Sequence, residues 1–296
     1  MTMQRLEGGS PGAALLIMAL LLAVSAGCVS EDGGSTAGTI PVVVTIPPQA
    51  EFVERVGGDR VEVMVMVPPG ASPHTHEPTP GQLSQVSRAE MYAMIGSGIG
   101  FERVWMARIG ELNPGMLVVD CSEGVALIEA GDGHAADPHI WLSPKNAAIM
   151  VENIYRGLAL VDPDHAGYYR QNADRYLEEL RELDAEIEQA LGTMENRKIL
   201  VYHPSWGYLA RDYDLEQIPI EHDGKEPTPQ GLEHLIRQAK EDNITVVFAS
   251  PEFSTRSAEV VAAEIGGEVV MVSPLARDYL ENMKSVADAF SRSASA

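Results

Sequence analysis

The chain has 296 residues, of which 45% are hydrophobic and 22% charged, a composition typical of a folded protein with one large or two medium domains. Its 43 acidic and 21 basic residues give a formal net charge of −22. This balance argues against nucleic acid or an anionic membrane surface as a partner.

The first 28 residues have the pattern of a lipoprotein signal peptide. An apolar run, AALLIMALLLAV at residues 13–24, is too short to span a bilayer comfortably and ends in Ser-Ala-Gly before Cys28. That ending resembles a lipoprotein processing site, so we predict that Cys28 is lipidated and anchors the protein to the outer face of the cell membrane. Residues 29–39 are then a flexible tether. Cys121 follows an apolar run and is predicted to be a small buried residue.

Residues 40–161 are predicted to form a first lobe in which strands and helices alternate. Strands are indicated by short runs of β-branched and apolar residues at 41–46, 61–67, 91–95 and 116–120. Helices are predicted over residues 49–56, 80–88, 101–112 and 144–160. The glycine-rich residues 96–100 are interpreted as a turn from strand to helix, because no acidic residue follows at the spacing of a dinucleotide fingerprint.

One long helix is predicted over residues 162–194. Asp162 is suited to cap it and Pro163 to its first turn. Apolar residues then recur at steps of three and four, which draws a single apolar stripe along an otherwise charged helix. We predict that this helix joins two lobes.

Residues 195–296 repeat the pattern of the first lobe. Strands are predicted at 199–202, 216–220, 244–248 and 268–272, with helices at 204–212, 230–241, 255–265 and 279–290. The predicted fold class is therefore α/β, with two parallel-sheet lobes joined by one long backbone helix. Ligands of such sheets bind beyond the carboxyl ends of the strands.

Three of the eight histidines stand at breaks between regular elements. His74 follows Ser72-Pro73, His139 follows Asp137-Pro138, and His203 lies between a strand and Pro204. Proline restricts the local backbone and so helps to hold a ligand side chain in place. A set of three histidines most often means zinc, although each of them taken alone is more simply a structural histidine.

Two other histidines lie in loops beside acidic residues. His134 is flanked by Asp132 and Asp137, and His222 lies between Glu221 and Asp223. Such loops can hold a cation loosely, but an ordinary loop histidine is the simpler interpretation of both.

Five segments resemble the zinc- and manganese-binding receptors of ABC uptake transporters (cluster A-I), and the zinc-uptake branch is the most similar. The three that carry ligands in that family are GASPHTHEPTP at 70–80, DPHIWLSP at 137–144 and VYHPSWGY at 201–208. Two further landmarks are EPTP at 226–229 and PEFS at 251–254.

The resemblance implies two α/β lobes with His74, His139 and His203 as metal ligands between them. It implies a monomer that captures Zn²⁺ outside the cell and passes it to an ABC permease, with Mn²⁺ the less expected cargo. Many family members have Asp-Pro-Leu where this chain has Ser273-Pro274-Leu275. The fourth position is therefore open to water or to an auxiliary residue; the candidates are His76, Asp278, Glu252 and Glu77.

Two alternatives remain at the level of sequence. Three histidines with an open fourth position also describe catalytic zinc, so an exported zinc hydrolase with Glu77 or Glu252 as general base is possible. The other alternative is a manganese receptor or adhesin with the same fold.

Overall fold

A computed structural model describes residues 38–129, 136–222 and 224–293 of the chain. The predicted signal peptide with Cys28, most of the predicted tether and His134 lie outside these residues. Among the described residues, no helix combines the length and the apolar content needed to cross a bilayer.

The first lobe is built on a four-stranded parallel sheet with strand order β2-β1-β3-β4. Its strands are β1 Ile40–Val44, β2 Val61–Val65, β3 Met91–Met94 and β4 Leu117–Asp120. The helices are α1 Pro47–Gly57, α2 Pro80–Val86, α3 Gly100–Leu112 and α4 Pro144–Val161. Central strand β1 is buried almost throughout, as expected for a strand covered on both faces.

The second lobe, after the long helix α5 Ala166–Gly192, has a sheet with the equivalent parallel order β6-β5-β7-β8. Its strands are β5 Lys198–Val201, β6 Glu216–Pro219, β7 Val246–Ala249 and β8 Glu268–Met271. The helices are α6 Gly207–Asp212, α7 Pro229–Glu241, α8 Arg256–Ile265 and α9 Tyr279–Ser293. The predicted class of two parallel-sheet α/β lobes is confirmed, whereas the boundaries proposed for the lobes stay predictions.

Helix α5 begins later than the sequence indicates. Residues Pro163–His165 form a 3₁₀ turn, and the α-helix starts at Ala166. Asp162 does not cap α5. Its carboxylate instead accepts hydrogen bonds from the Tyr169 hydroxyl (2.7 Å) and from His165 Nδ1 (2.8 Å). These contacts fold the chain back between α4 and α5.

The apolar stripe of α5 packs against elements from both lobes. The helix contacts α1 and α4 of the first lobe and α9 of the second. Its buried apolar positions are Tyr169, Ala173, Tyr176, Leu180, Leu183, Ile187 and Leu191. The main apolar core consequently runs without a break from β1 to α9, and the helix lies along the middle of it.

We predict that Leu183→Ala lowers the free energy of unfolding by about 2–5 kcal/mol, because it leaves a cavity in the core that both lobes share. Denaturant unfolding measures this loss. Glu188→Ala, at an exposed position on the same helix, is the matched control and is expected to change stability little. Equal stability of the two variants would contradict the shared core.

Candidate metal centre

His74 lies in the loop between β2 and α2, and both sides of this loop are anchored. The backbone N–H of Phe101 donates to the carbonyl of Pro73 (2.8 Å). After the histidine, Thr79 and Gln82 form a reciprocal capping box at the start of α2. The amide of Gln82 also donates to the carbonyl of Met66 (2.7 Å), which ties the end of the loop back to its beginning.

The turn between β3 and α3 supports the segments that carry His74 and His139. Its Ser97 hydroxyl donates to the carbonyl of Pro138 (2.6 Å), next to His139, and the N–H of Phe101 at its end binds Pro73. The buried carboxylate of Glu102 accepts the backbone N–H groups of Ile95 (2.6 Å) and Gly96 (3.0 Å). One turn, closed by one buried glutamate, therefore positions two of the histidines.

His139 is oriented by a carboxylate two residues before it. Oδ1 of Asp137 lies 2.8 Å from Nδ1 of His139 and also accepts that residue's backbone N–H (2.9 Å). When Nδ1 donates to the carboxylate, Nε2 is left as the free acceptor that a metal ion requires.

Hydrogen bonds from the second lobe hold the segment around His139. The Tyr208 hydroxyl of α6 donates to the carbonyl of Asp137 (2.8 Å), and the indole N–H of Trp141 donates to the carbonyl of Pro274 (2.7 Å). The Tyr279 hydroxyl of α9 donates to the carbonyl of Trp141 (2.8 Å). The segment that carries His139 is thus hydrogen-bonded to both lobes.

His203 lies just beyond the carboxyl end of β5 and has a carboxylate partner of its own. Oε1 of Glu221 lies 2.8 Å from Nδ1 of His203, and Glu221 is reached from the end of the neighbouring strand β6. The ring of Phe253 stacks against the ring of His203, with 4.4 Å between their centroids. Here too Nε2 is the nitrogen left free.

The three histidines converge on one point in the cleft between the lobes. A ligand nitrogen from each of His74, His139 and His203 lies within 4.8 Å of the other two. The Nε2 atoms of His139 and His203 are 3.3 Å apart. Two ligands of a tetrahedral zinc ion, each at about 2.0–2.1 Å from it, are about 3.3–3.4 Å apart, so this spacing is that of one coordination edge.

The surroundings of His74 and His203 favour the neutral imidazole, which is the form that binds metal. His74 keeps part of its side chain exposed, but its ring packs beside those of His139 and His203. Desolvation, together with the positive charge that His139 and His203 carry when protonated, lowers the pKa of His74 to about 4. Burial also lowers the pKa of His203, against the opposing effect of Glu221.

Among the candidate auxiliary residues, Glu252 lies at the site. It lines a small pocket together with all three histidines, and burial raises the pKa of its carboxyl. His76 stacks on Phe101, and Asp278 and Glu77 are exposed. His222, whose backbone bridges to Lys225, is exposed as well. None of these side chains joins the close cluster of three.

Sequence reasoning missed the two carboxylates that orient the rings. In the sequence, Asp137 stands beside His134 and in the segment before His139, and Glu221 stands beside His222, but neither carboxylate is assigned to a histidine ring from these positions. A local signal existed for Asp137, which stands two residues before His139. The pairing of Glu221 with His203 has no local signal, because 18 residues separate them and β5–β6 pairing brings them together.

Comparisons with known proteins agree with this geometry. The sequence model of the family described as ZnuA, "Zinc-uptake complex component A periplasmic", matches residues 42–293. The high-affinity zinc uptake system protein ZnuA of Bacillus subtilis (strain 168) is 29% identical over 283 residues, which cover 89% of this chain and 88% of that protein. The manganese-binding lipoprotein MntA of Halalkalibacterium halodurans is 29% identical over 290 residues, 93% of this chain and 95% of that protein.

A solved structure of a ZnuA protein has the same fold as this chain. The crystal structure of ZnuA superposes with a TM-score of 0.84 at 44% identity and covers 86% of this chain and 99% of that chain. Two α/β lobes around a histidine cluster define the class of metal-binding solute receptors that serve ABC transporters. The chain belongs to the ZnuA family. Its members are periplasmic metal-binding receptors and not enzymes, which argues against the alternative of a zinc hydrolase.

We predict that Gly100→Ala weakens metal binding, because a Cβ at this position would lie 2.9 Å from Cα of His74 and 3.1 Å from its carbonyl oxygen. The loop must shift to make room, and His74 shifts with it. Zinc affinity measured by chelator competition tests this expectation. Gly110→Ala, on the same helix with nothing within 4 Å, is the matched control and should bind as the wild type does.

Proposed function

We propose that this protein captures Zn²⁺ outside the cell with His74, His139 and His203 and delivers it to an ABC permease. The observation that carries the proposal is the convergence of three imidazoles, two of them separated by the edge length of a tetrahedral zinc site. Membership of a family described as a zinc-uptake component supports delivery to a permease.

The donor set favours zinc over manganese. Within the described residues, the close cluster contains three imidazole nitrogens and no carboxylate oxygen. Imidazole suits zinc, whereas manganese prefers carboxylate, carbonyl and water oxygens. Overall identity does not separate the two metals, since the zinc-uptake protein of Bacillus subtilis and the manganese-binding MntA are both 29% identical to this chain.

The position of the site suggests how the ion is released. The loop of His74 is held by the first lobe, and His203 stands at the end of a strand in the second. The segment of His139 contacts both lobes. A relative movement of the lobes therefore changes the separation of His74 and His203. Lengthening that separation removes a ligand and lowers affinity at the moment of transfer.

His203→Ala is expected to lower zinc affinity by more than the roughly 10–100-fold that is typical of losing an orienting partner, because it removes a ligand itself. Calorimetric titration with Zn²⁺ and with Mn²⁺, together with metal analysis of the purified protein, measures the loss. His234→Ala, at an exposed position on helix α7 that does not line the pocket, is the control. Zinc binding that His203→Ala leaves intact would contradict the proposed site.

We also propose that a lipid on Cys28 holds the receptor at the membrane, on the grounds of the sequence pattern described above. Wild-type protein should then fractionate with membranes, and mass spectrometry should find the mature chain beginning at a lipidated Cys28. Cys28→Ala should appear in the soluble fraction, while Cys121→Ala should stay with the membrane. Membrane association that survives Cys28→Ala would rule out this anchor.

A further inference from the structure

One carboxylate oxygen in the metal pocket has no hydrogen-bond partner among the residues that the structure describes. This atom, Oε2 of Glu252, is buried, and Glu252 lines the same pocket as His74, His139 and His203. A buried carboxylate oxygen without a donor is costly, and native proteins leave few such groups unexplained. A cation in the pocket is a partner that would satisfy it.

The topology of the second sheet explains why Glu252 is there. The chain passes from β5 to β6 on one side and then to β7 on the other, so the crevice of this sheet opens between the carboxyl ends of β5 and β7. His203 follows β5, and Glu252 follows β7. The stacking of Phe253 on the ring of His203 holds the backbone beside Glu252 next to that ligand.

The three imidazoles leave one tetrahedral position unfilled. The hydroxyl of Ser273 accepts the backbone N–H of Leu275 (3.3 Å), and neutral serine is a poor ligand. Asp278 and Glu77 do not line the pocket. Of the carboxylates considered, Glu252 alone combines a place in the pocket wall with an unsatisfied oxygen.

We propose that Glu252 supplies the fourth ligand to the ion that the three histidines hold. This proposal rests on the function proposed above. In the present arrangement the Glu252 oxygens are not among the atoms that lie within 4.8 Å of one another, so the side chain rotates from the pocket wall onto the ion. One carboxylate with three neutral imidazoles leaves a divalent ion with a single net positive charge.

A carboxylate ligand from Glu252 would also affect the preference of the site for zinc or manganese. Manganese depends on oxygen ligands more than zinc does, so losing the carboxylate should affect the two metals unequally. Zinc would keep its three imidazoles, whereas manganese would lose the only carboxylate in the set. Glu252 would thereby determine how well the site accepts manganese.

The test compares Glu252→Gln with the wild type in the full chain. We expect zinc affinity to fall at least about tenfold and manganese affinity to fall further. Cobalt, used as a spectroscopic probe, should show a changed visible absorption because one charged oxygen ligand is lost. Glu77→Gln removes the same charge from an exposed position and should change neither quantity.

Two further measurements separate ligation from folding. The metal-free Glu252→Gln protein should unfold at the same temperature as the wild type or higher, because the substitution replaces a half-buried carboxylate that has one buried oxygen without a hydrogen-bond partner among the described residues. Glu252→Asp keeps the carboxylate on a shorter side chain and should retain more zinc affinity than Glu252→Gln.

The outcomes distinguish the two proposals. If Glu252→Gln binds zinc and manganese as the wild type does and leaves the cobalt spectrum unchanged, while His203→Ala loses zinc, then Glu252 is not a ligand and the three-histidine site stands. If His203→Ala also binds zinc normally, the proposed function itself fails.

Discussion

The metal centre depends on one constraint: the segment between β4 and α4 that carries His139 must be held by both lobes at once. Tyr208, Tyr279 and the backbone of Pro274 bind it from the second lobe, and Ser97 binds it from the first. Because these bonds fix His139 relative to each sheet, its Nε2 can stand 3.3 Å from that of His203. The shared core along α5 supplies the rigidity that such spacing requires.

Two of the three clustered histidines have a carboxylate on the side of the ring that faces away from the pocket. Asp137 and Glu221 each occupy an Nδ1 atom, which fixes the tautomer and leaves Nε2 directed at the pocket. Burial and repulsion by the other two imidazoles lower the pKa of His74, and burial lowers that of His203, so both rings favour the neutral form that binds a metal ion. The packing that positions the imidazole rings therefore also influences whether they are protonated.

Much of this fold could be predicted from local pattern. The β-branched runs became parallel strands, and the stripe of three- and four-residue steps became α5. The predicted start of α5 was too early. The carboxylate of Asp162 binds the side chains of Tyr169 and His165 and does not cap the helix, and capping rules do not describe such side-chain contacts. The three histidines were selected from their proline-flanked settings and from resemblance, since nothing in their spacing requires them to meet.

The sequence by itself determined the alternation of strands and helices, the apolar face of the long helix and the three segments that carry histidines, because each of these is encoded within a few neighbouring residues. Only the tertiary structure decided which carboxylates stand behind the rings, which acid lines the pocket and how far apart the nitrogens lie. These depend on strand order and on packing between lobes: β6 brings Glu221 to His203, and β7 brings Glu252 to the same pocket. Distances of this kind arise from contacts between residues remote in the chain, and no local pattern contains them.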